Sequence, residues 1–551
     1  MQSQDFPNLD AGWIEQTINQ LSLREKIGQL FCPMMMDETL SAAEQIERYA
    51  EVVSNELETY QPGGYYLNKH YPETSRHLIE LLQKKSKVPL FIAADMEAGA
   101  GGGLGGVIAP GLTHFPPAMA LGATRYAPYV YQTGLLTALQ AQQIGVNYIF
   151  APVLDVNNNP ENPIINVRSF GEDPKLVAEM GAAMLQGLRD GGVASCVKHF
   201  PGHGDTSTDS HLQLPRLNAS RKRLNEVELY PYTQLLQEPG IDSIMTAHIA
   251  VKALEKEANL PATLSKRILT DLLRNEMGFE GLIVTDALLM GGITTVMDAA
   301  EAAVRSIEAG ADWLLLPPDF PAAFDALLQA VETGRLSEER IDESVVRVLA
   351  LKWELGIYIP ELRHPAELMP ELMMEGSKLN EALCGDAVTL IRDERKELPL
   401  ELEDEISAIL FCDTENFQDS QGDELSTALF ERGIDSEVIP LTPGSDPGEF
   451  SWCKRVITDS EVVILGAIIN VLPDKGSVDV PEAFAELVHY ALQGEKLVVL
   501  IAFGSPYLFL RFPDAPLCIC GYCYTPEMCE AISEVLAGLR KPNGTLPVSL
   551  K

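Results

Sequence analysis

Short, continuous runs of apolar residues recur through the first 320 residues of the chain, separated by segments with helical periodicity. Because the runs are continuous rather than alternating, we expect strands buried on both faces, as in parallel sheets. Eight strand–helix units predict an α/β fold with a (β/α)8 TIM-type barrel over residues 1–356. The eight runs are Leu30–Met35, Gly64–Leu67, Leu90–Ala94, Tyr148–Leu154, Ser195–Phe200, Ser243–Ala247, Leu282–Thr285 and Trp313–Leu316.

A second strand–helix pattern follows the barrel. Residues 357–378 contain several prolines and mixed polarity, which predicts a linker. Residues 379–551 predict a smaller α/β sandwich domain with a doubly wound sheet and two clear helices, Gly422–Arg432 and Val480–Leu492. Its predicted strands are Ala387–Ile391, Ile406–Phe411, Ser436–Ile439, Val462–Leu465, Lys496–Ala502 and Pro516–Cys520.

The charge balance narrows the possible partners. The formal net charge of -38 disfavours nucleic acid, which requires a basic face, and offers nothing to anionic lipid. No apolar stretch approaches the roughly 20 residues of a membrane span, and Met1–Asn8 lacks the pattern of a secretory signal. We therefore expect no nucleic-acid or membrane partner.

The nine cysteines are thinly spread, which is typical of reduced thiols and favours a cytoplasmic location. Cys518, Cys520, Cys523 and Cys529 lie close enough in sequence to suggest a metal site. The apolar residues around Cys518 and Cys520 favour a buried strand instead. Phosphate-loop and dinucleotide fingerprints are missing, so we expect no cofactor.

Polar residues lie at or just past the ends of five of the predicted barrel strands. In such barrels the βα loops at the carboxyl ends of the strands carry the chemistry. The alternative is that each residue merely caps a helix, but five strands with the same feature make that explanation weak. The residues are Asp95, Glu97, Asp155, Lys198, His199, His248 and Asp286.

The loop after the fifth strand has the highest density of reactive side chains. Residues 198–211 contain three of the nine histidines, two aspartates and a lysine. Asp209 and His211 are two residues apart, so the carboxylate can orient the imidazole as a proton shuttle near pH 7. Asp286 follows the predicted strand Leu282–Thr285 and is either a helix cap or a nucleophile. A metal site is the competing interpretation of the loop, with ligands from His199, His203, Asp205, Asp209 and His211, although their spacing matches no familiar zinc pattern.

These motifs together resemble glycoside hydrolase family 3. Lys198–Thr206 reads KHFPGHGDT and is followed by Asp209 and His211. Residues 151–157 read APVLDVN and residues 166–174 read NVRSFGEDP; Met245–His248 and Val284–Asp286 extend the match. More narrowly, the chain is similar to the β-N-acetylglucosaminidase branch that acts in peptidoglycan recycling. The resemblance covers roughly residues 15–355.

The resemblance implies a retaining exo-glycosidase that removes terminal β-linked N-acetylglucosamine from amino-sugar glycosides or muropeptide fragments. By the same resemblance, Asp286 is the nucleophile that forms a glycosyl-enzyme intermediate, and His211 is the acid/base, held by Asp209. Histidine then replaces one of the two usual carboxyl groups. The residues implied to hold the sugar are Asp95, Arg168, Lys198, His199 and His248.

One segment departs from the family pattern. Family members read DQEGGRVQR after the third strand, whereas residues 95–104 read DMEAGAGGGL. Both arginines are missing, and Gly103 stands where the second would help to grip the sugar. The loop is therefore expected either to be more mobile or to admit a different substituent.

Four alternatives remain open at this stage. The same residues could serve a β-N-acetylglucosaminide phosphorylase, because histidine, unlike glutamate, does not repel an approaching phosphate. The missing arginines permit a non-catalytic carbohydrate-binding protein. A metal-dependent hydrolase is the third alternative. β-Glucosidase activity is disfavoured, because the His–Asp pair resembles the hexosaminidase branch.

Overall fold

The computed structural model describes residues 12–35, 42–68, 72–103, 106–107, 109, 111–237, 240–362, 365–366, 369–401, 406–412, 421–436, 438–469, 471–472 and 475–551. Leu104 and Gly105, in the segment that departs from the family pattern, lie outside these residues.

Eight parallel strands form a closed barrel at the N-terminal end of the chain. Ladder hydrogen bonds join β2 through β7 in chain order, and β8 pairs with β1. Single bridges between Met34 and Tyr66 and between Val284 and Trp313 complete the circle. The strands are β1 (Phe31–Cys32), β2 (Gly64–Tyr66), β3 (Phe91–Ala94), β4 (Tyr148–Ile149), β5 (Ala194–Phe200), β6 (Ser243–Thr246), β7 (Leu282–Val284) and β8 (Leu314–Leu315). The predicted TIM-type barrel is confirmed.

Seven of these strands lie within their predicted runs and are shorter than predicted, whereas β5 begins at Ala194, one residue before its run. The fourth run, predicted to reach Leu154, forms a strand only at Tyr148–Ile149. Pro152 interrupts it, because proline has no N–H to donate to a ladder.

Alternate strand residues separate into two hydrophobic clusters. Ile92, Ile149 and Ile283 belong to the large cluster that includes the surrounding helices. Their neighbours along the strands form a second cluster dominated by the rings of Phe91, Tyr148, Phe150 and Trp313, whose centroids lie 5.1 to 6.5 Å apart. Side chains therefore fill the barrel interior, and chemistry is confined to its ends.

Helices surround the barrel between the strands. The π-helix over Arg267–Glu276 is a feature that the sequence pattern does not distinguish from an α-helix. The α-helices are Gly12–Gln20, Leu23–Gly28, Ala42–Tyr60, Pro72–Lys85, Ala118–Thr124, Ala127–Ile144, Pro174–Asp190, Arg221–Glu226, Tyr230–Leu235, Gly291–Thr294, Ala299–Ala309, Phe320–Glu332 and Glu338–Glu354. Within the described residues, no helix is both long and apolar enough to cross a membrane.

The C-terminal part of the chain forms a second, six-stranded sheet. Its strands are β9 (Thr389–Asp393), β10 (Ile406–Cys412), β11 (Val438–Leu441), β12 (Val462–Ile468), β13 (Leu497–Ala502) and β14 (Leu517–Cys520). They lie in the order β9-β14-β13-β12-β10-β11, all parallel except β9. The five parallel strands thus have the doubly wound order 2-1-3-4-5, as in flavodoxin-like sheets.

Helices cover both faces of the second sheet. In one group, the helices Pro370–Ala387 and Gln421–Glu431 both pack on Pro526–Leu536. In the other group, Pro447–Asp459 packs on Glu482–Leu492. The short helix Leu508–Arg511 completes the set. The domain limits at residues 356 and 378 stay predictions. The helix Pro370–Ala387 continues through residue 378 without a break.

The barrel and the second domain share a hydrophobic core. Met119 and Ala120, near the start of a barrel helix, and Ile164, Ile165 and Val167, before Arg168, belong to the core cluster of the C-terminal domain. The loop after β4 is therefore held from both sides, and Arg168 is positioned at the domain boundary.

Candidate active site

Asp286 follows β7 directly and does not cap a helix. The next helix, Gly291–Thr294, has Met290 at its N-cap with no side-chain cap hydrogen bond. Asp286 instead accepts a hydrogen bond from the Ala287 N–H at 2.8 Å. Burial raises its pKa, but the imidazoles of His248 and His199 and this N–H outweigh burial and hold the pKa of Asp286 below its ordinary value. The carboxylate is therefore ionised at neutral pH, as a nucleophile must be.

Asp209 and His211 form the predicted pair. The Asp209 Oδ1 atom lies 2.8 Å from both the backbone N and the ring Nδ1 of His211. A carboxylate can only accept here, so Nδ1 carries a proton and Nε2 faces away from Asp209. The Asp209 side chain is fully buried, whereas that of His211 is 23% exposed. A buried carboxylate thus orients an imidazole that a ligand can reach.

The loops that carry His211 and Asp286 are bonded to each other. Gly291 N donates to His211 O at 2.8 Å, and Gly292 N donates to Ser210 O at 2.9 Å. A Cβ on Gly291 would lie only 2.5 Å from the His211 carbonyl oxygen, so this approach requires glycine. The imidazole of His211 also contributes to the lowered pKa of Asp286. The loops that carry the Asp209–His211 pair and Asp286 therefore meet at one end of the barrel.

A buried ion-pair network lies beside them. Lys198 Nζ lies 2.5 Å from Asp95 Oδ1 and 2.6 Å from Glu97 Oε1. Glu97 accepts two hydrogen bonds from Arg168, from Nε at 2.9 Å and from Nη2 at 2.8 Å. Burial raises the pKa of Glu97, but the two cations lower it further, so the pKa falls well below its ordinary value. Tyr66 donates to the other Asp95 oxygen at 2.9 Å. Charged groups with fixed geometry are thus available for sugar hydroxyls.

His199 is held by Asp155, a carboxylate to which the sequence alone assigns no role. Its Nδ1 lies 2.7 Å from Asp155 Oδ2, and the backbone N of His203 donates to Asp155 Oδ1 at 2.6 Å. Burial opposes ionisation of Asp155, but the charge of His199 lowers its pKa. His199 Nε2 lies 3.4 Å from Arg168 Nη2, which links this pair to the ion-pair network.

His248 uses both ring nitrogens within the protein. Nε2 lies 2.9 Å from Ala287 O and Nδ1 lies 2.8 Å from the Thr263 hydroxyl. Since a carbonyl can only accept, Nε2 carries the proton. Burial lowers the pKa of His248 below its ordinary value. It positions the residue after Asp286, and a direct contact with sugar stays a prediction.

Comparisons with known proteins agree with this geometry. Residues 22–351 match the model of the glycosyl hydrolase family 3 N-terminal domain. The chain belongs to glycosyl hydrolase family 3. It is a glycoside hydrolase.

Three relatives cover nearly the whole length of this family 3 enzyme. It is 29% identical to a beta-hexosaminidase A of Pseudoalteromonas piscicida, over 90% of this chain and 91% of the relative. The solved structure of a family 3 beta-N-acetylglucosaminidase from Paenibacillus sp. str. FPU-7 has 31% identity and a TM-score of 0.85, covering 96% of this chain and 99% of the other. A beta-glucoside phosphorylase structure has 27% identity and a TM-score of 0.86, with 100% and 98% covered.

The five residues of the metal alternative do not converge in this family 3 enzyme. His199 contacts Asp155, His203 contacts the Thr206 hydroxyl, and His211 contacts Asp209. Asp205 is bonded instead to an arginine of the next helix. Across the residues that the structure describes, no group of three histidine, cysteine or carboxylate side chains is arranged to hold a metal.

The cysteine-rich segment of the second domain forms part of its core. Cys518 and Cys520 are buried in β14 and Cys529 is buried in the following helix, whereas Cys523 is half-buried. The interpretation of Leu517–Cys520 as a buried strand is confirmed.

Glu97 and Asp155 follow predicted strand ends, which is the signal that the sequence offers, but the sequence alone assigns neither of them a role. In the structure both carboxylates position other residues of the site. Their partners, Arg168 and His199, lie on other loops, so no spacing along the chain shows the pairing.

Proposed function

We propose that the enzyme is a retaining exo-β-N-acetylhexosaminidase that removes terminal β-linked N-acetylglucosamine through a covalent intermediate. The observation that carries the proposal is the joining of the His211 and Asp286 loops at one barrel end, with a carboxylate on one and a carboxylate-oriented imidazole on the other. The beta-hexosaminidase and beta-N-acetylglucosaminidase names of two relatives support the choice of sugar.

The proposed reaction has two steps. First, an Asp286 oxygen attacks the anomeric carbon while His211 Nε2–H gives its proton to the leaving oxygen and the glycosidic bond breaks. In the second step, the neutral Nε2 takes a proton from water as the water oxygen attacks the same carbon and releases Asp286. Asp209 stabilises the imidazolium in the second step and keeps Nδ1 protonated in both. Two inversions give net retention. Asp95, Arg168, Lys198 and His199 hold the ring hydroxyls.

The cellular role is part of the proposal. We place the enzyme in the cytoplasm, acting on muropeptide fragments during peptidoglycan recycling. None of the nine cysteines, all of which the structure describes, forms a disulfide, which fits a reducing compartment.

The stereochemistry of the first product tests the proposal. Proton NMR of early hydrolysis of 4-nitrophenyl N-acetyl-β-D-glucosaminide is expected to show the β anomer first, followed by mutarotation. The α anomer appearing first would contradict a covalent intermediate.

The same experiment in phosphate buffer addresses the second candidate. A beta-glucoside phosphorylase is among the structural relatives, and an imidazole does not repel phosphate from the intermediate. If the enzyme is a hydrolase, it should release free sugar in phosphate buffer at the same rate as without phosphate. Sugar 1-phosphate as the main product would establish phosphorolysis instead.

The decrease in activity on removal of the His211 side chain is expected to depend on the leaving group of the substrate. His211→Ala should reduce kcat/KM for chitobiose by about 10²- to 10⁴-fold, because its alcohol leaving group needs a proton. Nitrophenyl glycosides need little protonation and should lose much less. Steady-state kinetics on both substrates provide the measurement, with His77→Ala, which replaces an exposed histidine, as the matched control. Equal losses on both substrates would remove the acid/base assignment.

A further inference from the structure

The loop between β5 and His211, residues 201–211, carries the proposed acid/base residue and is named here the acid/base loop. Its first half is fixed by Asn159 and Asn162, whose Nδ2 atoms donate to three carbonyl oxygens of the loop at 2.9 to 3.1 Å. Its last two residues accept hydrogen bonds from the loop after β7. All of these contacts are to backbone atoms of the acid/base loop. A further contact, made by a side chain of the following helix, holds the middle of the loop.

That side chain belongs to Arg223, on the helix Arg221–Glu226. Arg223 Nη2 donates to Asp205 Oδ2, on the acid/base loop, at 3.2 Å. Ser220 caps the helix and accepts from the Arg223 backbone N at 3.2 Å. Because the cap fixes the first turn of the helix, it also fixes the point from which the Arg223 side chain extends. The acid/base loop is therefore tied to a capped helix through one guanidinium.

The same guanidinium lies against a second carboxylate, which is buried. Arg223 Nη2 is 3.2 Å from Glu228 Oε1, and the Glu228 side chain is 1% exposed. The backbone of the acid/base loop also packs on Glu228, since a Cβ on Gly202 would lie only 2.7 Å from the Glu228 Cβ. Gly202 has a φ of +121°, which favours glycine at this close approach. Glu228 thus supports the loop at Gly202 and holds the arginine that binds Asp205.

The three residues Asp205, Arg223 and Glu228 form what we name the loop clamp. The clamp holds the acid/base loop at a residue four positions before Asp209, which orients His211. A general acid must lie about 2.6–3.2 Å from the oxygen that it protonates. A displacement of about 1 Å can reduce the rate by about 10²-fold. Loss of the clamp should therefore impair proton transfer by His211 more than attack by Asp286, which lies on a different loop.

We propose that the loop clamp positions His211 for proton transfer to the leaving group, with Arg223 as its central positioning residue. The inference rests on the proposed glycosidase function, because it assigns the clamp to the acid/base step of that reaction. Arg223 and Asp205 are 40% and 32% exposed, and ion pairs at such sites contribute at most about 1 kcal/mol of stability. The effect of their contact is therefore expected in the kinetics rather than in the stability of the fold.

Two substrates that differ in their leaving group test the clamp. Asp205→Asn weakens the contact to the loop but leaves the Arg223–Glu228 pair intact, so the fold should be retained. Its kcat/KM for chitobiose should fall by about 10- to 100-fold. For 4-nitrophenyl N-acetyl-β-D-glucosaminide, whose leaving group needs little protonation, kcat/KM should stay within about 3-fold of the wild type.

Variants of Arg223 provide the second measurement. Arg223→Gln should show the same dependence on the leaving group, and the double variant with Asp205→Asn should be no less active than Arg223→Gln alone, because both changes break one contact. Arg223→Lys keeps a cation and should lie closer to the wild type on chitobiose. If Arg223→Gln does not fold, because it leaves Glu228 buried without a cation, Asp205→Asn decides alone.

Arg221→Gln is the matched control. Arg221 lies on the same helix but pairs with Glu276 on the exposed surface, so this variant should match the wild type on both substrates. Equal losses on both substrates in Asp205→Asn, or wild-type kcat/KM for chitobiose, would overturn the clamp. His211→Ala, measured in the same series, distinguishes the two proposals. If its losses were also equal on both substrates, the acid/base assignment itself would fail, and the clamp with it.

Discussion

Asp286→Ala is expected to reduce kcat by about 10⁴- to 10⁶-fold while the fold is retained, because the variant cannot form the glycosyl-enzyme bond. The side chain accepts one hydrogen bond from Ala287 and caps no helix, so its removal costs little stability. Added azide should restore turnover of a nitrophenyl glycoside and release the α-glycosyl azide, since a small anion can occupy the vacated space. Incubation of the wild-type enzyme with a 5-fluoro glycosyl fluoride, followed by peptide mass spectrometry, should place the label on Asp286.

Asp319 supplies the matched control. It also follows a barrel strand, but it caps helix Phe320–Glu332 and accepts from Ala322 N at 3.0 Å. Asp319→Ala should cost about 1 kcal/mol of stability and leave kcat unchanged. Wild-type kcat in Asp286→Ala, or a label on a different residue, would refute the nucleophile assignment.

The sequence predicts the position of the site better than its internal contacts. Parallel strands buried on both faces must be apolar throughout, so a polar residue that ends such a run marks the barrel mouth. That rule locates Asp286, His248 and Lys198. It cannot decide between a helix cap and a nucleophile for Asp286, because the decision depends on where the next helix begins. In the structure that helix begins at Gly291 with Met290 at its N-cap, so the Asp286 carboxylate does not cap it.

Contacts between loops and between domains are the part that sequence reasoning cannot supply. The spacing of Asp209 and His211 is local, so their pairing could be predicted. Glu97 and Arg168 are 71 residues apart, and only the closed barrel brings them together. Likewise, Val167 is one apolar residue among many in the sequence, yet it packs in the core of the second domain and fixes the loop that carries Arg168.

Glu97→Gln is expected to lower the free energy of unfolding at pH 7 by about 3–5 kcal/mol, because it leaves Arg168 and Lys198 buried without their shared carboxylate. The pKa of Glu97 in the folded protein lies below its ordinary value of 4.5, so this contribution is fully present above pH 4.5 and is lost as pH falls through the lowered folded value. The difference between variant and wild type should therefore be constant from pH 7 to pH 5 and narrow below about pH 4.5.

Urea unfolding followed by the fluorescence of Trp313, which is fully buried in the barrel, measures this difference. Glu301→Gln is the matched control, because Arg335 binds Glu301 with the same two-nitrogen geometry, at 2.7 and 2.8 Å, on the exposed surface. The free energy of unfolding of Glu301→Gln should lie less than about 1 kcal/mol below that of the wild type. A similar, small loss for both variants would show that the Glu97 network does not stabilise the barrel. A difference that grows at low pH would reverse the sign of the linkage, and the carboxylate could not then be the charged partner that holds Arg168 and Lys198 in place.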